Sequence, residues 1–179
     1  MISDSEGEKL VKLARDSVVN YFKGVETSFG KSKNSGVFVT IYSRNSLRGC
    51  IGFIEPVYEL NDGIVKAALS AAFSDSRFSP VKRDELSDLN FEVSVLSKPS
   101  LIDASGLEIL SHIELGKDGL IVEKDFHKGL LLPSVATEHK MSKIEFIEHT
   151  CLKAGLDRNS WKENSCKVFK FQTQVFSEN

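Results

Sequence analysis

The sequence predicts an α+β fold, with a mixed or mainly antiparallel sheet and a buried central helix. Three observations lead there. Segments rich in β-formers at 37–42, 47–54 and 91–96 are too numerous for the strand–helix alternation of parallel βαβ units. The run Ile64-Val65-Lys66-Ala67-Ala68-Leu69-Ser70-Ala71-Ala72-Phe73 has a single charge, and a helix apolar nearly all round belongs in a core. The 179 residues suffice for one sizeable domain or one domain with a subsidiary lobe.

Each element has its own local reason. Leu10, Ala14, Val18 and Tyr21 recur at helical spacing, which predicts an amphipathic helix over 5–23. A polar loop at 31–36 precedes the strand at 37–42, and Ser43-Arg44-Asn45-Ser46 turns the chain into the strand at 47–54. Asn61-Asp62 is an N-cap signal for the central helix over 63–73. A loop at 74–80 follows, with a helical turn at 81–86 and a strand at 91–96 that Lys98-Pro99 ends. Segments 112–115, 120–123 and 129–132 read as a three-strand meander. Ser142-x-x-Glu145 is a capping box opening a helix to about Ala154, where Gly155 stops it. The last strand, 167–176, places Phe169, Phe171, Thr173 and Val175 on one face.

Composition narrows the function classes. The chain is 41% hydrophobic and 27% charged, ordinary for a soluble globular protein. A net charge of -2 and short, interrupted basic clusters argue against a general grip on nucleic acid. No run of about eighteen apolar residues predicts a membrane span. The acidic start lacks the order of a signal peptide, and three widely spaced cysteines are not a disulfide framework, so a reduced cytoplasmic setting is expected.

The chemistry concentrates in Leu47-Arg48-Gly49-Cys50-Ile51-Gly52-Phe53. Alternation along a strand places Arg48 and Cys50 on one face, roughly 7 Å apart. Two readings of Cys50 stand. In one it is a nucleophile or redox thiol, its pKa lowered by Arg48, which also grips a carboxylate or phosphate. In the other Cys50 is a small core residue and Arg48 pairs a buried carboxylate such as Glu92. Gly49 and Gly52 let something approach the backbone. Asp75 and Arg77, just past the central helix, either rim the same cleft or pin the loop by an ion pair, with Phe78 entering the core. If the strands at 47–54 and 91–96 lie close, Arg48, Cys50, Glu92 and Ser94 form a polar cluster on one side of the sheet.

Other chemistries have little support. Cys151 falls on an apolar helix face with Ile144, Ile147 and Ala154, which favours core packing. His149 and Cys151 face different ways on their helix, and His112, His127 and His139 are scattered, so no metal site is assigned. Gly-x-Ser-x-Gly, a phosphate loop and a Cys-x3-Cys-x2-Cys iron–sulfur run are absent, and no cofactor is assigned. A Cys50–histidine pair is left open, because such pairs need not be close in sequence.

Leu47-Arg48-Gly49-Cys50-Ile51-Gly52 resembles the hallmark of the AMMECR family. Asp75-Ser76-Arg77-Phe78-Ser79-Pro80 resembles the family's Asp-x-Arg-Phe-x-Pro element, and Phe91-Glu92-Val93-Ser94-Val95-Leu96 its following strand. Gly119-Leu120-Ile121-Val122-Glu123, Gly129-Leu130-Leu131-Leu132-Pro133 and Cys151-Leu152-Lys153-Ala154-Gly155-Leu156 are similar to later blocks, as are Trp161 and the strand from Lys167, especially in archaeal members. The similarity covers roughly residues 8–176, and six blocks in order are specific where one would be weak.

The resemblance implies one AMMECR-like domain over 1–179, an α+β fold with a main domain and a smaller lobe roughly within 98–140, and a hallmark in or beside a cleft. It implies no settled activity. It points to Memo-like and radical S-adenosylmethionine proteins as fused or neighbouring partners in a multi-protein modification pathway.

Two functional expectations follow. In the first, the cleft takes a small anionic molecule or a peptide segment: Arg48 holds the anionic group, the backbone from Gly49 to Gly52 forms the floor, and Cys50 is the candidate nucleophile. Asp75, Arg77 and Glu92 contribute. In the second, the chain is a non-catalytic interaction module for those partner proteins.

Overall fold

Ser3 opens the first helix, α1 (Asp4–Lys23), as the sequence's short polar start allows: its side chain accepts from the Glu6 N–H, and the Glu6 carboxylate reaches back to the Ser3 N–H. Gly24, at φ 68°, ends the helix in the left-handed conformation that costs glycine nothing. The computed structural model describes residues 2–178. It divides into two units, Met1–Leu96 with Gln174–Asn179, and Ser97–Thr173. The second unit therefore extends well past the 98–140 span expected for the smaller lobe.

The first unit is built on strands β1 (Gly36–Ser43), β2 (Ser46–Phe53) and β3 (Leu89–Leu96), with β1 antiparallel to both neighbours and β2 at the sheet edge. Arg44 and Asn45, both at positive φ, make the two-residue turn that joins β1 to β2. One sheet face, carrying Val37, Val39, Ile41, Phe91, Val93 and Val95, is buried with α1 and with α2 (Leu60–Phe73). Burying each such valine or isoleucine contributes about 1.5–3 kcal/mol. The small residues Ala67, Ala68, Ala71 and Ala72 bring α2 close to the strands.

Two local expectations differ in this unit. α2 starts at Leu60 with Glu59 as N-cap, because Asn61 donates its N–H to Ser32 and Asp62 pairs with Lys66 one turn on. Tyr21 lies off the buried stripe, which runs through Gly7, Val11, Ala14, Ser17 and Val18; its exposed ring instead sits 4.2 Å from that of Phe73. After α2 the chain passes through the loop at 74–82 into a 3-10 turn, Arg83–Asp88.

The second unit holds β4 (Ser100–Leu101), β5 (Asp118–Lys124), β6 (His127–Leu131), α3 (Pro133–Glu138), α4 (Lys143–Lys153) and most of β7 (Lys167–Ser177). The capping box at Ser142 and Glu145 forms as the spacing requires. The expected strand at 112–115 does not: a 3-10 helix, Gly106–His112, precedes a turn in which Asp118 accepts the Glu114 N–H, and β5 pairs with β6 and β7. The expected apolar face of the last strand is also revised. Val168 and Phe171, of opposite alternation, are both buried, while Val175 is exposed and its neighbour Phe176 packs against the core of the first unit. Cys151 is fully buried beside Phe146 and Ile147, with Ile144 on the exposed side, and burial pushes its thiol up to about 11.

Candidate functional site

The hallmark strand is an edge strand, and an edge strand needs partners for its outward main-chain groups. The loop after α2 provides them at Cys50. Asp75 accepts the Cys50 N–H on Oδ2 at 2.9 Å, and Arg77 donates from Nη2 to the Cys50 carbonyl at 3.2 Å. The same two side chains are locked together. Arg77 Nε reaches Asp75 Oδ1 at 2.9 Å, Nη2 reaches Oδ2 at 2.7 Å, and the Arg77 main-chain N–H also donates to Oδ1. Asp75 is 3% exposed at its side chain and Arg77 is 54% exposed. The guanidinium and these N–H donors hold the Asp75 carboxyl far below the usual carboxylate range.

Arg48 does not sit where simple alternation places it. The β1–β2 register shifts by a residue, Ile41 opposing Gly49 and Tyr42 opposing Leu47, so Arg48 is the extra residue of a bulge. Its guanidinium makes a fork with Glu85, Nε to Oε2 at 2.8 Å and Nη2 to Oε1 at 3.1 Å, and donates from Nη1 to the Ser79 carbonyl at 2.8 Å. The carboxylate that pairs Arg48 is therefore Glu85 and not Glu92. Glu85 is held below its ordinary pKa first by Arg48, and it also accepts the Lys82 N–H.

The two glycines serve the fold's own close contacts. A Cβ on Gly49 would collide with the carbonyl oxygen of Ala71, so α2 packs its backbone directly on β2 there. A Cβ on Gly52 would enter the Phe38 ring and the Val37 carbonyl. The side-chain faces expected to lie open above these glycines are filled by Ala71 and Phe38.

Cys50, Thr40 and Glu92 form a row across β2, β1 and β3, and the Cys50 Sγ lies 3.3 Å from Thr40 Oγ1. Burial pushes the Cys50 thiol up; the hydrogen bond with Thr40 and the charge of Arg77 pull the other way, and Asp75 and Glu92 add to the rise. The cation that the thiol senses is Arg77. Ser94 is buried on the same strand as Glu92, opposite Phe38. Of the expected polar cluster, Cys50 and Glu92 thus share a row that Thr40 completes, while Arg48 turns to Glu85.

The hallmark strand and the Asp75-x-Arg77-Phe78-x-Pro80 loop are two parts of one hydrogen-bonded unit. A sequence model of the AMMECR1 family matches residues 11–176. The chain belongs to the AMMECR1 family. A relative from Thermococcus onnurineus is 43% identical over 99% of this chain and 92% of its own length. One from Aquifex aeolicus is 43% identical over 95% of this chain and 91% of its own. The crystal structure of an uncharacterized protein, PH0010 from Pyrococcus horikoshii, superposes with a TM-score of 0.91 at 43% identity, covering 99% of this chain and 94% of that one. The AMMECR1 fold is therefore an α+β fold in this chain as well.

Two residues of the site escape sequence reading. Thr40 is the lone hydroxyl within the apolar run from Val37 to Ile41, which is a visible signal. Glu85 lies in Lys82-Arg83-Asp84-Glu85, where the charges read as mutually cancelling and nothing marks which one turns inward. Among the described residues no group of three His, Cys, Asp or Glu could hold a metal ion, and no helix is long and apolar enough to cross a membrane.

Proposed function

We propose that the chain is a non-catalytic peptide-binding module whose recognition surface is the β2 edge with the Asp75–Arg77 clasp upon it. One observation carries this reading. The clasp meets the Cys50 N–H with an acceptor and the Cys50 carbonyl with a donor, as a neighbouring strand would, and holds an exposed guanidinium beside them. A thiol enzyme is less well supported, since the Cys50 thiol is pushed up rather than down. A small anion on Arg48 would have to displace Glu85 from a two-pronged ion pair. The depression beside Arg48, about 420 Å³, is lined by Lys82, Asp84 and Glu85 as well, so its charges balance. By family resemblance, Memo-like and radical S-adenosylmethionine proteins are the candidate donors of the peptide segment.

Calorimetric titration of the purified chain with each of those two proteins from the same organism tests the reading. Binding to one of them is expected, weakened at least tenfold by Arg77→Gln and abolished by a bulky Cys50 adduct in a chain lacking Cys151 and Cys166. Binding that is indifferent to both changes in folded protein would sink it.

A further inference from the structure

Cys50 gives its N–H to Asp75 and its carbonyl to Arg77, so at this residue the main-chain groups of β2 point away from β1. In an antiparallel ladder this orientation recurs every second residue, and the next position is Gly52. Among the described residues no side chain clasps Gly52 as Asp75 and Arg77 clasp Cys50. Phe38 fills the space over Gly52 on its side-chain face, so what the strand offers outward there is main chain alone.

Arg77 clasps the Cys50 carbonyl, and Cys50 lies one two-residue step along this edge from Gly52, roughly 7 Å by strand geometry. Its Nε and Nη2 groups are engaged with Asp75 and Cys50, which leaves the Nη1 amino group outside the clasp on a half-exposed side chain. Asp75 fixes the direction in which that amino group points.

We infer that the β2 edge takes the extended C-terminal segment of a partner protein, pairing main chain to main chain at Gly52 and placing the terminal carboxylate on Arg77 Nη1. This rests on reading the β2 edge as the recognition surface. Two features select a chain end over an internal segment. The clasp already occupies the ladder position at Cys50, so an added strand has to stop there. The outer guanidinium edge then meets that stop with a charge-assisted donor suited to a carboxylate.

The test uses two random-heptapeptide libraries, one displayed with free C-termini and one with the termini blocked. Peptides with free C-termini are expected to be enriched. Their synthetic free acids should bind at least tenfold more tightly than the amides, with a comparable loss in Arg77→Gln. The Gly52 amide should exchange its hydrogen at least tenfold more slowly in the complex. Equal affinity for acid and amide, or unchanged exchange at Gly52, overturns the inference. Arg77-dependent binding of blocked peptides overturns it while leaving the peptide-binding module standing. Failure of both libraries overturns both. The acid–amide comparison needs no variant, so it holds even if Arg77→Gln unfolds.

Discussion

The carboxylate of Asp75 accepts the main-chain N–H of Cys50 at 2.9 Å, tying the loop after α2 to the middle of the edge strand β2. Both residues fall in blocks that carry the family resemblance, and here the two blocks hold each other. The bond is almost wholly shielded on the Asp75 side, and Arg77 closes it from the solvent side.

Asp75→Ala leaves the Cys50 N–H and the inner edge of Arg77 without their acceptor. The expected cost is about 2–4 kcal/mol, below the largest values for buried pairs because Arg77 is half exposed. The sign of the pH effect follows from the depressed Asp75 pKa. The stabilisation is complete above the unfolded value of about 3.9 and is lost as pH falls below it toward the folded value. Urea denaturation of wild type and Asp75→Asn at about pH 7 and about pH 3 should therefore show the gap between them narrowing in acid.

Gly49→Ala should be far more damaging than its size implies. The added methyl meets the Ala71 carbonyl, which is main chain and cannot rotate away, so α2 has to shift off the sheet. A loss of about 3 kcal/mol or failure to fold is expected. Gly30→Ala, with nothing within 4 Å of the added carbon, is the control and should be nearly silent in the same denaturation experiment.

Alkylation of Cys50 in a chain lacking the other two cysteines should titrate above the ordinary thiol value of about 8.5. Thr40→Val removes a hydrogen bond that favours the thiolate and should move the midpoint higher. Glu92→Gln removes a nearby negative charge and should move it lower. Rates measured with iodoacetamide across pH would detect both shifts, and a midpoint near neutrality would revive a nucleophilic role.

Arg48→Lys keeps the charge and loses the fork. A lysine cannot bond both Glu85 oxygens and the Ser79 carbonyl in one plane. A loss of about 1–2 kcal/mol is expected, nearly as large as for Arg48→Ala, since geometry rather than charge is what the site uses. Thermal unfolding of the two variants side by side makes the comparison.

Much of the first unit is legible in the chain. The helical spacing of Leu10, Ala14 and Val18 announces α1, the run from Ile64 with Lys66 as its single charge announces a buried α2, and the turn across Ser43–Ser46 announces the β1–β2 hairpin. Local pattern failed where a long-range partner outranked it. The segment 112–115 is apolar enough for a strand, yet β5 finds its second neighbour in β7, about fifty residues later, as in the Asp118–Gln172 pair. Tyr21 keeps helical spacing and still faces solvent, because Phe73 from α2 supplies a ring for it to lie against at the surface.

The site divides in the same way. Residue types, order and alternation are properties of the chain, and they suffice to mark Arg48, Gly49, Cys50, Asp75 and Arg77 and to place them in a family. Partnership is a property of the fold. A one-residue bulge turns Arg48 to Glu85, the path of the loop after α2 brings Asp75 and Arg77 onto Cys50, and the approach of Ala71 explains Gly49. Register shifts and loop paths depend on contacts between residues far apart in sequence, and a side-chain period of two carries no information about either.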